Sequence, residues 1–400
     1  MSNNGSRLNR RTLLGASAAA LAAPALLRPA HAQAEPIRIG WLATFTGPLS
    51  SPTIGFDRGV KYAVEQINAK GGVNGRLIEV ISRDTQGDPT KAVNATQDVI
   101  SRQKVHAIFG PVNSGELLAT TPIMARAKVP SLVAGVVNSL IDPVKFPNAF
   151  RVTPSNAQWD DAVRNYCQNI VKAKKVAITA DATGYGTSAH DDSMASFKKA
   201  GFDIVYDGVI DPAQPDVTPD LLRAKNAGAE ALVSWTVSAG MAARMMNARA
   251  ALNWDVPIVG HPALGTGEIG KLVAKPEYWE KVYQVGYRSC SYGPDGKLPK
   301  ANQEFVDSVR GKMPLADTSL WWIASGVDAI NLIAEAVAKT GSTDSDKIIG
   351  YWNTLNMWPG LYGHYSFSPE QHNGFLGTDV VMSKANTQRD GAFDLAPGYV

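Results

Sequence analysis

The sequence predicts an α/β protein built as two parallel-sheet domains, and three observations carry that reading. From Ile37 onward, short β-branched or aliphatic runs alternate with segments of helical periodicity, the rhythm of parallel strands joined by crossover helices. The chain has 400 residues, 44% of them hydrophobic, which exceeds one ordinary core and fits two domains of usual size. After Phe150-Arg151-Val152 the strand and helix rhythm starts afresh.

Residues 37–42 form the first strand. Phe56, Val60, Ala63, Val64 and Ile67 then recur on one helical face, which should pack on the sheet. Gly71, Gly72 and Gly75 end that helix, because glycine accepts the left-handed conformation that helix exits need, and residues 77–81 return as a strand. Asp88 and Pro89 open the next helix as N-cap and first-turn proline, ahead of a strand at 105–109. Residues 117–127 read as a helix and 131–134 as a strand. The second unit brings a helix at 157–171, a strand at 176–179, a helix at 188–200 and strands at 204–206, 231–234 and 257–259. The Pro- and Asp-rich residues 211–219 read as a loop, and residues 291–299 as a Gly/Pro-rich break, with domain crossings near the ends of the second unit. A long helix at 320–339 follows, and the Gly-rich tail from Gly360 carries a strand at 379–382.

Arg10-Arg11, the apolar run from Gly15 to Leu27 and the Ala30-His31-Ala32 triplet read as a twin-arginine export signal over residues 1–34, cut after Ala32 or Ala34. Interrupted by Pro24 and closed by Arg28 and Pro29, the run is shorter than the roughly 20 residues a bilayer crossing takes. No later segment is expected to span a membrane. The formal charge of +3 misleads, because four arginines and no acidic residue leave with the signal, so the mature chain sits at −1. Such a balance speaks against nucleic acid as a partner. Cys167 and Cys290 would meet an oxidising compartment, and the sequence leaves open whether they pair.

The chemistry-bearing motifs are weak. Gly265-Thr266-Gly267-Glu268-Ile269-Gly270 matches G-x-G-x-x-G, yet His261 to Leu264 separate it from the strand end, whereas a dinucleotide site needs its first glycine at the strand-helix turn. The six histidines are scattered without metal-ligand spacing. Ser196 and Lys199 fit S-x-x-K on an amphipathic helix face, and no G-x-S-x-G elbow occurs. The expectation is a protein without catalytic residues, cofactor or metal.

The ordered series Thr46-Gly47-Pro48, Ile67-Asn68-Ala69-Lys70-Gly71-Gly72-Val73-Asn74-Gly75, Gly87-Asp88-Pro89, Phe109-Gly110-Pro111, Phe150-Arg151-Val152-Thr153-Pro154-Ser155, Tyr185-Gly186 and Phe367-Ser368-Pro369 with His372 resembles the leucine-isoleucine-valine-binding family of periplasmic receptors. The resemblance covers essentially the whole mature chain. It implies a type I periplasmic-binding fold, two doubly wound parallel-sheet domains joined by three hinge crossovers, with residues 35–154 plus 289–361 in the N-terminal lobe and 155–288 plus 362–400 in the C-terminal lobe. It also implies a monomeric periplasmic receptor that closes around one small solute and hands it to the ABC permease at the inner membrane.

By the same resemblance, Asn113 and Ser114 present an amide and a hydroxyl to a ligand carboxylate, helped by N–H groups near Gly115. The next loop matches Gly135, Val136 and Val137, with valine where amino-acid receptors supply a threonine hydroxyl. Ser51 joins the set, while Pro52 stands where those receptors often carry an aromatic side chain. Tyr185 matches the tyrosine that closes over the ligand. His261-Pro262-Ala263 occupies the loop where amino-acid receptors place the acid that pairs with the ligand ammonium. A buried ammonium without counter-charge costs several kcal/mol, so the loop favours an aromatic or aliphatic acid over an amino acid unless Asp181 or Glu268 reaches in. Trp235, at a strand end, belongs either to the cleft or to the core. The rival class is an amide or small-molecule sensor of the same fold.

Overall fold

Two sheets organise the chain, and the computed structural model describes residues 35–399 apart from Pro48. The expected export signal at 1–34 lies outside the described residues. The first sheet is made by β1 (Ile37–Ala43), α1 (Ser51–Ala69), β2 (Ile78–Asp84), α2 (Pro89–Ser101), β3 (Ala107–Phe109), α3 (Ser114–Ala127), β4 (Ser131–Val133) and β5 (Ala149–Arg151). Its strands run parallel in the order β2-β1-β3-β4-β5. Local chemistry sets the helix ends. Asp88 caps α2 by accepting from the Lys91 amide at 2.9 Å with Pro89 in the first turn, and Asn113 caps α3 by accepting from the Gly115 amide at 2.9 Å.

The second sheet begins after α4 (Asn156–Tyr166), which starts in a capping box between Ser155 and Gln158 and runs into a π-helical turn, Cys167–Val171. It continues through β6 (Lys175–Asp181), α5 (Gly184–Lys199), β7 (Asp203–Ile210), α6 (Thr218–Asn226), β8 (Ala231–Trp235), α7 (Ala239–Ala251), β9 (Ile258–Gly260) and β10 (Val282–Tyr287). The chain then returns toward the first sheet through β11 (Ser291–Tyr292), α8 (Lys300–Val309), α9 (Leu320–Thr340), α10 (Ser345–Trp352) and the hairpin of β12 (Trp358–Pro359) with β13 (His364–Tyr365). A third passage adds β14 (Val380–Lys384) to the second sheet, and β15 (Phe393–Asp394) pairs with β11. The second sheet has the order β14-β10-β9-β8-β6-β7, and its edge strand β14 runs antiparallel to β10, a departure from the parallel arrangement expected.

Several boundaries differ from expectation for identifiable reasons. Helix α5 starts at Gly184 rather than 188, because the Thr183 side chain accepts from the Gly186 amide and carries the helix through two glycines. Strand β7 runs to Ile210, beyond the apolar run at 204–206, since a sheet edge tolerates half-exposed polar residues. The loop expected at 211–219 ends at Val217, with Pro219 inside the first turn of α6.

Helix α9 corrects the expectation about membrane spans. Among the described residues it is long and apolar enough to cross a membrane, with a mean hydropathy of 1.3, and it is buried within the protein. Its partner is α1, and two glycines set the approach. A Cβ added at Gly59 would lie 2.0 Å from the Ile323 carbonyl oxygen, and one at Gly326 would lie 2.3 Å from that of Phe56. Backbone therefore meets backbone along the helix pair that carries one wall of the cleft. Cys167 and Cys290 are both buried free thiols, pushed up to about 12 by burial.

Candidate functional site

Loops at the carboxyl ends of both sheets enclose a cavity of about 510 Å³, counting its mouth to solvent. This is where open α/β sheets collect ligands, since strand ends and helix starts converge there. From the first sheet come Thr44 after β1, the Asn113-Ser114 start of α3, and the Ala134-Gly135-Val136 turn after β4. From the second come Tyr185 at the start of α5, Val237 after β8 and His261 after β9.

The first-sheet side is built to meet an anion. Helix α3 points its N-terminus at the cavity, bringing the positive end of the helix dipole and the N–H groups of its first turn, of which the Gly115 amide serves Asn113. The Ser114 hydroxyl accepts from the Val136 amide at 3.1 Å, which ties the β4 turn to the helix start and leaves the hydroxyl proton free to be donated. Glu116, in the first turn of α3, is fully buried behind this end. Its carboxyl accepts from the Thr44 hydroxyl at 3.4 Å, and burial is the chief cause that pushes it up to about 7.

The remaining walls are aromatic. Phe56 of α1 and Trp322 of α9 lie 5.2 Å apart between ring centroids. Across from them Trp159, Tyr185 and His261 form a cluster, with centroids 5.1 Å apart for Trp159 and His261, 5.1 Å for Tyr185 and His261, and 6.3 Å for Trp159 and Tyr185. The Tyr185 hydroxyl is buried without a hydrogen-bond partner, and burial raises its pKa well above the usual range. The His261 ring is 2% exposed, its Nδ1 accepts from the Ala263 amide at 3.0 Å, and burial pushes it down to about 3. It is a neutral imidazole whose proton sits on Nε2.

No Asp, Glu, Lys or Arg lines this cavity among the described residues. Asp181 does not reach in, because its carboxylate is occupied by the Thr183 amide at 3.3 Å, the Thr183 hydroxyl and the Val237 amide at 2.9 Å, where it braces the loops after β6 and β8. Glu268 lines a different groove of about 560 Å³ with Ser238 and Arg244.

Of the residues singled out in the sequence, Asn113, Ser114, Gly135, Val136, Tyr185 and His261 meet at the cavity. Ser51 does not. It faces the groove that holds Glu268. Val137 turns into an apolar cluster with Leu117 and Leu140, and its carbonyl accepts from buried Arg151. Trp235 is core, fully buried with its Nε1 donating to Ser193 at 2.7 Å. Sequence reasoning missed Phe56, Trp159 and Trp322, which sit at helical positions that periodicity assigns to the core. The G-x-G-x-x-G segment begins in a 3-10 turn, Pro262–Gly265, and its Gly267 abuts the Ala316 carbonyl, where a Cβ would lie 2.1 Å from the oxygen.

Residues 36–390 match the periplasmic binding protein family. Leu/Ile/Val-binding protein homolog 7 of Brucella abortus is 25% identical over 370 residues, 90% of each chain. Its counterpart in Brucella suis is 30% identical over 222 residues, 54% of this chain, so that the alignment spans only 55% of that relative. Among solved structures, a type 1 periplasmic binding protein from Bordetella pertussis superposes with a TM-score of 0.80 at 24% identity, covering 90% of this chain and all of that one. The branched-chain amino acid binding protein LivJ from Streptococcus pneumoniae, in complex with isoleucine, gives 0.76 at 23% identity, covering 90% and 99%. An ABC-transporter solute-binding protein from Rhodopseudomonas palustris, in complex with 4-hydroxybenzoate, gives 0.75 at 20% identity, covering 90% and 95%. At such identities these structures speak for the fold. With the family match running through both sheets, the chain belongs to the periplasmic binding proteins, in the leucine/isoleucine/valine-binding group with the type I fold.

Proposed function

We propose that the chain is the solute receptor of an ABC importer and that its ligand is a carboxylate with an aromatic or aliphatic body and no ammonium group. The observation that carries this reading is a cavity whose walls hold a helix N-terminus, hydroxyls and aromatic rings but, among the described residues, no charged side chain. An anion gains from the α3 terminus, and an apolar body gains about 25 cal/mol per Å² buried against the rings. An ammonium would enter without a counter-charge, at several kcal/mol.

Each sheet anchors one lobe, residues 35–154 with 289–361 and residues 155–288 with 362–400, and the ligand bridges them. Small contacts already join the two sides at the cleft. The N-termini of α3 and α5 touch through Gly115 and Gly184, where a Cβ on Gly184 would lie 3.0 Å from the Gly115 Cα. Asp192 of α5 accepts from Asn138 of the other side at 3.2 Å. Ligand adds to these contacts only in the closed form, and so shifts the population toward the shape a permease reads. The receptor works in the periplasm as a monomer.

Isothermal titration of the purified mature chain with benzoates, short aliphatic acids, leucine, isoleucine and amides tests this. The reading expects an acid without an amine to bind tightest. Leucine or isoleucine binding more tightly than every such acid would contradict it.

A further inference from the structure

We infer that His261 and Tyr185 form a second polar subsite that takes an uncharged oxygen of the ligand, a phenolic hydroxyl or a carbonyl, and turns away an ammonium group. The inference deepens the proposed function and rests on its carboxylate being held at the start of α3.

One hydrogen bond fixes which nitrogen of His261 is left as a donor. Its Nδ1 is committed to the Ala263 amide at 3.0 Å, so in the neutral ring the proton resides on Nε2. Tyr185 adds a hydroxyl that is buried without a partner on a side chain 2% exposed. The two neighbouring rings, 5.1 Å apart between centroids, both line the cavity, and each carries one donor that no protein group takes up. A buried polar atom without a partner is destabilising, and a ligand oxygen that satisfies it recovers that loss. An ammonium offers donors only, so it would oppose the Nε2 proton and find no carboxylate, since Asp181 is saturated by Thr183 and Val237. Protonation of His261 does not alter this near neutral pH, because burial holds the ring neutral down to about pH 3. Trp159 and Trp322 line the same cavity and give the ligand body aromatic surface to pack against.

The test is calorimetry on the mature chain with benzoate, 3-hydroxybenzoate, 4-hydroxybenzoate, 4-methylbenzoate and 4-(aminomethyl)benzoate, repeated on Tyr185→Phe, His261→Phe and His261→Glu. The better hydroxybenzoate should bind the unaltered chain about tenfold or more tightly than benzoate, and the aminomethyl compound should be the weakest. Tyr185→Phe and His261→Phe should each shrink the hydroxyl advantage to threefold or less, and a melting transition within a few degrees of the unaltered chain shows that the variants fold. His261→Glu should reverse the order in favour of the aminomethyl compound. A hydroxyl advantage that survives both phenylalanine variants, or is absent from the unaltered chain while benzoate binds, overturns this inference and leaves the carboxylate reading standing. If no benzoate binds and leucine does, the carboxylate reading falls and takes the subsite with it.

Discussion

Glu116 shows how one residue ties the site to stability. Its carboxyl is buried behind the α3 terminus with hydroxyl neighbours and is pushed from 4.5 up to about 7, first by burial. Below about pH 4.5 folded and unfolded chains both carry the proton. As pH rises toward 7 the unfolded chain ionises first while the folded one holds its proton, so stability falls through that window, by about 3 kcal/mol at most at about 1.4 kcal/mol per pH unit. Asp328, buried and hydrogen-bonded to the Leu361 and Tyr362 amides, is pushed up to about 7 by the same cause and acts in the same direction. Urea unfolding at pH 5 and pH 7 should therefore show Glu116→Gln gaining stability relative to the unaltered chain at the higher pH, and an equal difference at both pH values would refute the assignment. At the cleft, Ser114→Ala removes the donor proposed for the ligand and the acceptor of the Val136 amide. Affinity for the bound acid should drop about tenfold or more in calorimetry, and an unchanged affinity would take Ser114 out of the site.

Elements were legible wherever periodicity and caps agreed. The Asp88-Pro89 start of α2 could be read because both residues have one favoured place in a helix, and Asp88→Ala should cost about 1 kcal/mol in thermal melts, with no change if the cap is idle. The site was legible where its residues follow strand ends, as Asn113, Ser114, Gly135, Val136, Tyr185 and His261 do. It was hidden where the wall comes from helices, because Trp159 and Trp322 repeat with the same period as core residues. Val137 misled, and Trp235 stayed open between cleft and core, for a related reason. Neighbouring residues of an extended segment point to opposite sides, so Val136 meets the cavity while Val137 meets Leu117, and Trp235 turns toward Ser193 of α5. The α1 and α9 contact was not legible either, because a glycine in a helix says nothing of what approaches it. Gly59→Leu places atoms where the Ile323 carbonyl stands, and overpacking of this kind should cost about 3 kcal/mol or more. A melting point within a degree or two of the unaltered chain would show that the helices have room to part.

Over the whole molecule, two sheets joined by three chain passages place a cavity where both sets of strand ends face each other. The Gly115 and Gly184 contact makes that arrangement sensitive to bulk, so Gly184→Leu should hold the starts of α3 and α5 apart and weaken binding. The proposed function turns on closure around one bound ligand. Small-angle X-ray scattering of the mature chain, titrated with the acid that binds tightest in calorimetry, tests it most directly. The radius of gyration should fall to a plateau at one ligand per chain, and Gly184→Leu should blunt that fall. A radius that stays constant while calorimetry reports saturation would contradict the closing receptor.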